Sequence, residues 1–377
     1  MISSWIFSGL GVLSVILNAW QWLAAVRFPL HRPVSDPSFA PPVTCLKPLK
    51  GADTETRACL ASWLAQRYPG PVQFLFGVAR TDDPVCEIVR SLLAEFPQAH
   101  AELIVCPESF GPNGKVSTLI QLERTLAHEL IVISDADVRV PTNFLQNVVA
   151  PFRDEKTGLI SCLHSLANPS TLAMRFEAVA INADFWSMVL QGKTLRPLDF
   201  ALGAVMAVRR PALEKIGGFR VLADYLADDY QLGHRIFAAG WRVDLCPLVA
   251  ACWESPASWS RVWQHQLRWA RTVRVCMPGG YFFSILSNGT LWLALGALFV
   301  PQLWPLWLAA LLARTVAAWD LQRRLTQSSS HTPYVWLVPV KDLAGVLLWA
   351  LSFLGNKIEW KGARFAVQTG GKLQPEN

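Results

Sequence analysis

The chain has 377 residues, 52% of them hydrophobic, and a net charge of +6. That is room for one α/β domain of ordinary size plus lipid-facing segments, and the basic residues are scattered without an aromatic-basic platform, which speaks against nucleic acid as a partner. Eight cysteines with no CxxC pair and no metal-like spacing argue against a disulfide scaffold and fit a reduced, cytosol-facing domain.

The apolar residues are concentrated at the two ends. No charged side chain occurs between Met1 and Val26 or between Tyr281 and Ala313, whereas the 40–275 region carries nearly all the acidic residues. This predicts a water-soluble domain between membrane-embedded ends. Residues 3–26 are the length of one membrane helix; the run is long for the core of a cleaved signal peptide and no basic residue precedes it. Arg27, His31 and Arg32 follow it, so the positive-inside rule places the N-terminus outside and the next domain in the cytoplasm. The expected organisation is an anchor over 1–28, a water-soluble domain over 40–280, and a membrane region with a basic tail over 281–377.

After a proline-rich connector (Pro29, Pro33, Pro37, Pro41, Pro42), strands and helices alternate. Val43–Leu46 reads as a strand and Thr54–Gln66 as a helix with Asp53 available as cap. Val72–Val78 reads as a second strand, followed by a helix entered through Asp83-Pro84. Glu102–Val105 is a third strand, Lys115–Ala127 a third helix, and Leu130–Ser134 a fourth, β-branched strand. Such alternation predicts parallel strands joined by right-handed crossovers. No Gly-x-Gly-x-x-Gly or Gly-Lys-Ser/Thr loop follows a strand, which disfavours the dinucleotide and P-loop versions of that layout.

The strand ends carry the chemistry. Lys47 and Lys50 lie at the first, Arg80-Thr81-Asp82-Asp83 after the second, the loop Phe110–Lys115 after the third, and Asp135-Ala136-Asp137 after the fourth. In an open parallel sheet, ligands bind beyond the carboxyl ends of the strands. Two aspartates one residue apart at such an end can hold a hard cation against a ligand's oxygens, although the triplet taken alone is equally a solvated turn. Lys47 or Lys115 could neutralise a diphosphate, and Asp83 could accept from a base or ribose.

Beyond Asp137 the pattern is less regular. Phe200–Arg210 reads as an apolar strand, with Gly203 marking a close backbone approach. Asp228-Asp229 opens a helix running to about Ala239, and Trp263–Arg274 is a basic, aromatic helix suited to a membrane surface. Residues 282–300, 303–319 and 334–355 are three further apolar segments. Three full crossings would place the basic tail (Lys357, Lys361, Arg364) outside, against the positive-inside rule, so 334–342, with Lys341 and Asp342, is expected to be interfacial or re-entrant.

In order, Asp82-Asp83, Asp135-x-Asp137, Asp228-Asp229 and Arg268-Trp269 resemble the D, D, D, (Q/R)xxRW series of inverting glycosyltransferases of the processive and ceramide glucosyltransferase-like kinds. Lys47-Pro48-Leu49-Lys50-Gly51, Asp82-Asp83-Pro84 and Ala227-Asp228-Asp229-Tyr230 look closer to the ceramide glucosyltransferase branch, and within it most like bacterial enzymes associated with hopanoid biosynthesis. The resemblance covers about residues 43–275. It implies a GT-A, Rossmann-like α/β domain flanked by N- and C-terminal transmembrane helices, in a multi-pass membrane protein whose catalytic domain is cytoplasmic.

By the same resemblance the enzyme moves one sugar, glucose or N-acetylglucosamine, from a UDP-sugar to a lipid headgroup of ceramide or phosphatidylethanolamine. Asp229 is implied as the base, with Asp228 beside it. Asp137, backed by Asp135, is implied to hold Mg²⁺ or Mn²⁺. Lys47, Asp83, Lys115, Asp135, His265, Arg268 and Trp269 are implied on the donor. His265 departs from the family pattern: it stands where Gln or Arg is usual, and either it or a flanking Gln264 or Gln266 supplies that group. A processive polysaccharide synthase and a non-catalytic membrane scaffold are the competing readings.

Overall fold

The computed structural model describes residues 2–34, 37–360 and 363–375; Lys361 of the basic tail lies outside them. Helix α1 (Ile2–Arg27) leads into β1 (Val43–Leu49), α2 (Thr56–Leu64), β2 (Val72–Val78), α3 (Val85–Glu95), β3 (His100–Val105), α4 (Gly114–Glu123) and β4 (Leu130–Ser134). These four strands pair in parallel in the order β3-β2-β1-β4. The first half of the domain therefore has the expected parallel pairing. Helix α2 starts later than expected because the Asp53 carboxylate accepts from the backbone N–H groups of Glu55 and Thr56 and from the Thr56 hydroxyl, which holds the preceding turn in place.

The second half turns the sheet into a mixed one. It runs β5 (Val138–Arg139), α5 (Phe144–Val149), β6 (Thr157–Leu166), α6 (Leu172–Val179), a π-helical segment (Ala180–Phe185), α7 (Trp186–Leu195), β7 (Val205–Arg209), α8 (Arg210–Lys215), α9 (Asp228–Ala238) and β8 (Arg242–Cys252). Strand β7 is antiparallel to both β4 and β6, and β6 is parallel to β8. The apolar stretch from Phe200 becomes strand only at Val205; Phe200–Ala204 stays irregular and packs against α9.

Alternate residues of the central strands feed two cores. Leu46, Leu75, Ile131 and Ile133 face α4, with Val116, Leu119 and Leu122; Cys45, Phe74, Phe76 and Val132 face α2 and α3, with Leu60, Trp63, Val85 and Val89. A sheet covered on both faces explains why these strands read as continuous apolar runs. Each fully buried Leu or Phe contributes roughly 1.5–3 kcal/mol, and that rigid sheet fixes the positions of the loops at its carboxyl edge.

After β8 come α10 (Trp259–Cys276), α11 (Pro278–Phe283), α12 (Gly289–Phe299), α13 (Trp304–Thr326) and α14 (Leu337–Phe353). Helices α12 and α13 pack on α1: Phe7 stacks on Phe299 at 4.3 Å, and Gly11 and Gly296 leave room for the Trp307 ring. Among the described residues, Ser4–Arg27 is the one helix long and apolar enough to cross a membrane; Pro278–Ser287 and Gly289–Phe299 reach that length only together and are bent by 49° at the break.

Helix α14 runs unbroken from Leu337 through Lys341 and Asp342, and a bend of 49° falls between Pro278–Ser287 and Gly289–Phe299. Lys341 and Asp342 are accommodated by neutralisation. The Arg314 guanidinium of α13 bonds Asp342 at 2.9 Å and Asp184 of the π-helical segment at 2.8 Å, Lys341 pairs with both carboxylates, and Thr290 of α12 donates to Asp342 at 2.7 Å. Two cations and two carboxylates cancel, so none is left as an uncompensated buried charge.

A three-stranded antiparallel sheet, β9 (Lys357–Trp360), β10 (Ala363–Val367) and β11 (Leu373–Pro375), ends the described chain. Ile358, Phe365, Val367 and Leu373 pack with Leu226 and Val275, which seats this sheet between the loop before α9 and the end of α10.

Candidate active site

Four loops meet at the carboxyl edge of β1, β3 and β4 and the start of α9. Lys47, at the end of β1, is buried; its ammonium donates to the Ser134 hydroxyl at 2.9 Å and the Asp135 carbonyl at 2.7 Å and lies 4.4 Å from the centre of the Trp63 ring. Burial lowers its pKa to about 7 against the opposing pull of Asp137 and Asp135. Asn113 caps α4 by accepting from Val116 N–H, while its amide donates to the Tyr225 carbonyl at 2.8 Å and to Asp228 Oδ1 at 3.3 Å. The adjacent Lys115 is thereby aimed at two acidic loops at once.

Lys115 is the hub. Its Nζ lies 2.7 Å from Asp135 Oδ1 and 3.4 Å from Asp228 Oδ2. Burial opposes its charge, but the Asp135, Asp228 and Asp229 carboxylates outweigh burial and hold it firmly protonated. The Asp135-x-Asp137 triplet and the Asp228-Asp229 pair are 91 residues apart in sequence (228 − 137) and share one cation in space.

Asp137 makes no ion pair with a described side chain, and its pKa rises to about 7 through burial and the nearby charges of Asp135 and Glu254. A buried carboxylate repelled by its neighbours is missing a counter-charge. No group of three or more His, Cys, Asp or Glu side chains able to hold a metal occurs among the described residues. A cation here would therefore draw on Asp137 and Asp135 together with water and ligand phosphates, which is how Mg²⁺ is commonly bound. The donor set fits such an ion.

Asp229, in the first turn of α9, is held by close packing. A Cβ on Gly203 would sit 2.7 Å from Asp229 Oδ2, so the close approach expected at Gly203 is made by this carboxylate. Burial and the adjacent Asp228 raise the Asp229 pKa to about 6, against the lowering effect of Lys115. The loop before it is tied down from outside: Leu226 N–H donates to the Gly371 carbonyl at 2.9 Å, Leu373 N–H to the Asp224 carbonyl at 2.7 Å, and Gln231 Nε2 to the Gly370 carbonyl at 2.7 Å.

Helix α10 forms the remaining wall. His265 Nδ1 lies 2.7 Å from Oε1 of the buried Glu177, and Gln266 Nε2 donates to the same oxygen at 2.9 Å. A carboxylate only accepts, so Nδ1 carries the imidazole proton and Nε2 is left without a described partner. The His265 ring packs on Trp269 at 4.7 Å, and Trp269 on His164 at 6.1 Å. Arg268 forms no hydrogen bond or ion pair from its guanidinium to a described residue, and burial lowers its pKa. Its charge is available to a ligand anion.

Lys47, Lys115, Asp135, Asp137, Asp228 and Asp229 are thus brought together, with His265, Arg268 and Trp269 alongside. Asp83 stands apart: its oxygens accept from Gly51 N–H and Val85 N–H at 3.0 Å, pinning the left-handed turn at Gly51 to the start of α3. The structure adds Asn113, His164, Glu177 and Glu254, none of which was singled out from sequence. Asn113 carries a readable signal, a capping residue before a helix. His164 lies mid-strand in β6 with an unpartnered Nδ1, and nothing local in the sequence marks it.

The eight-stranded mixed sheet with an acidic site at its strand ends is the GT-A type of glycosyltransferase fold. The mannosyltransferase PcManGT from Pyrobaculum calidifontis, solved with GDP-Man and Mn²⁺, superposes with a TM-score of 0.55 at 21% identity, over 91% of this chain and 98% of that one. The chain belongs to glycosyl transferase family 21, whose model matches residues 6–373. It is a glycosyltransferase of the ceramide glucosyltransferase-like kind. Ceramide glucosyltransferase 3 of Caenorhabditis elegans is 21% identical over 94% of this chain and 78% of its own length. Beta-monoglucosyldiacylglycerol synthase of Trichormus variabilis is 26% identical over 53% of this chain and 41% of its own.

Proposed function

We propose that this protein transfers a single sugar, glucose or N-acetylglucosamine, from a UDP-sugar to the headgroup of a membrane lipid, ceramide or phosphatidylethanolamine, with inversion at the anomeric carbon. The observation that carries the reading is the convergence of Asp135, Asp228 and Asp229 on Lys115, with Asp137 beside Asp135, in a chain whose relatives bear the names of lipid glucosyltransferases.

In this reading Asp137 and Asp135 hold Mg²⁺ or Mn²⁺, which supplies Lewis-acid stabilisation of the leaving diphosphate. Lys115 and Arg268 add fixed positive charge around the phosphates, Lys47 braces the Asp135 loop beside them, and Asp83 meets the uridine. Asp229 accepts the proton of the acceptor hydroxyl as that oxygen attacks the sugar, with Asp228 keeping Lys115 in place. A carboxylate whose pKa is about 6 is still ionised near neutral pH and is a stronger base than an ordinary aspartate. Attack from the face opposite the diphosphate gives a β-linked product from an α-linked donor. His265, oriented by Glu177, stands with Arg268 on the donor, and Trp269 closes over the diphosphate and the acceptor headgroup.

The apolar ends carry the protein in the membrane as a multi-pass chain with the catalytic domain in the cytoplasm. Helices α1 and α12 to α14 leave Trp5, Ile16, Leu298, Leu306, Leu312 and Leu347 exposed, an arrangement suited to lipid. Incubating membranes containing the protein with labelled UDP-glucose or UDP-N-acetylglucosamine, then extracting and weighing the lipids, tests this reading. One sugar per lipid is expected; a polymer, or no lipid product with either donor, refutes it.

A further inference from the structure

Helices α6, α10 and α14 form a half-open apolar cavity of about 220 Å³, lined by Phe176, Trp259, Val262, Trp263, Val340 and Ala344. Phe176 and Val262 are buried in its floor, and Phe176 meets Trp259 edge-on at 5.5 Å. No lining residue bears a charge or a carboxamide, so a polar ligand would find almost nothing to bond. An apolar cavity of this size is a good receptacle for hydrocarbon; one of about 150 Å³ already takes benzene.

Its surroundings say from which side an occupant arrives. Val340 belongs to a stripe along α14, Trp336, Val340, Leu343 and Leu347, that recurs every three or four residues and is exposed along its length. An exposed helix face of this kind is where a bilayer would lie. Val340 is both a lining residue of the cavity and part of that stripe, so the two apolar surfaces are continuous.

The inner end leads to the chemistry. Trp259, Val262, Trp263, Gln266 and Trp269 share one face of α10, since they recur at helical spacing. From Val262 to Trp269 the helix rises about 10 Å. Phe176 in the floor directly precedes Glu177, which holds His265 and Gln266. Further along, α10 reaches the start of α9, where the Tyr230 hydroxyl donates to the Cys276 carbonyl at 3.0 Å. A chain seated in the cavity thus has its polar end about two helical turns along α10, beside Arg268 and Trp269.

We propose that this cavity is the seat of a hydrocarbon chain of the acceptor lipid, and that it sets the acceptor's depth and register relative to Asp229; the proposal rests on the lipid-acceptor reading above. The site selects for a chain long enough to reach from the headgroup into the cavity. The polar headgroup is selected separately, around Trp269.

The test uses the full-length protein in nanodiscs, with acceptors of one headgroup and graded chain length, short soluble analogues to long natural chains. Ala344→Phe places a ring into the cavity from α14. Each methylene kept out of an apolar seat weakens binding about fourfold, so loss of two or three raises KM for long-chain acceptor by roughly tenfold or more. KM for the UDP-sugar is expected unmoved, and the preference of the wild type for long over short chains is expected to collapse. Leu347→Phe, on the exposed stripe outside the cavity, is the control and should retain that preference. A long-chain acceptor bearing a diazirine at mid-chain should label peptides from α10 and α14. A344F protein that discriminates chain length as the wild type does, or a photolabel confined to other helices, overturns the proposal while leaving the lipid-acceptor reading intact. Wild-type protein that turns over UDP-sugar but glycosylates no lipid overturns both.

Discussion

Gly203→Ala tests the assignment of Asp229 as the base without altering any ionisable group. The added methyl carbon would lie 2.7 Å from Asp229 Oδ2 and 3.2 Å from its Cγ, whereas ordinary contacts begin near 3.4 Å. The carboxylate must therefore retreat by about 0.7 Å or the 200–204 segment must move by as much. Proton transfer and attack are concerted in the proposed reaction, and misplacing a reacting group by about 1 Å costs on the order of 10²-fold. The expected result is a fall in kcat of roughly 10- to 100-fold with KM for the UDP-sugar within about twofold, because the three atoms nearest the new methyl all belong to Asp229. Thermal unfolding monitored in parallel separates this from simple destabilisation. A variant with normal kcat, or with its whole defect in donor KM, would refute the placement of the base.

Four further outcomes follow from the structure. Asp229→Asn keeps the shape and removes the base: transfer should fall by about 10²- to 10⁴-fold while UDP binding by calorimetry stays within a few-fold. In the wild type, kcat/KM should decline as pH drops through about 6, because protonation of Asp229 removes the base; a profile flat down to pH 5 contradicts this. Lys115→Met leaves Asp135, Asp228 and Asp229 without their shared cation, and breaking so enclosed a pair costs roughly 3 kcal/mol. Asp229 then loses the charge that holds its pKa down, so the stability deficit in a denaturation series should be greater at pH 8, where it is ionised and unpaired, than at pH 5. Asp342→Asn unbalances the buried cluster with Arg314 and Lys341 and should lower the midpoint of thermal unfolding in detergent. An unchanged midpoint would mean the cluster does not clamp α13 and α14 to the catalytic domain.

Much of this was legible in the sequence where chemistry follows local pattern. Strand β4 and the Asp135-x-Asp137 triplet at its end are adjacent in the chain, so a β-branched run ending in carboxylates was enough to place them. Asp228-Asp229 at the start of α9 was legible for the same reason. What the sequence did not reveal are relations across long separations. That Lys115 joins the two acidic motifs depends on Asn113 bonding to Tyr225 and Asp228, contacts spanning more than 100 residues. The mixed half of the sheet was hidden because β7 pairs antiparallel with a strand some 70 residues earlier, and apolar runs look alike in either direction. Lys341 and Asp342 read as charges at membrane depth because their partners, Arg314 and Asp184, are visible only once the helices are packed.

Helix α10 shows why those long-range relations matter for the proposed activity. Its Arg268 and Trp269 were readable as a motif, but a motif names residues and leaves their support unstated. Glu177 of α6 fixes His265 and Gln266, the C-terminal sheet packs on Val275, and Tyr230 bonds to Cys276. The helix is thus fastened at its middle and at its end, and the second fastening also reaches the loop that carries Asp228 and Asp229. Displacing α10 would therefore move the acceptor wall and the candidate base together. An enzyme that joins a water-borne sugar donor to a lipid needs that coupling, because the two substrates arrive from different phases and must meet at one carboxylate.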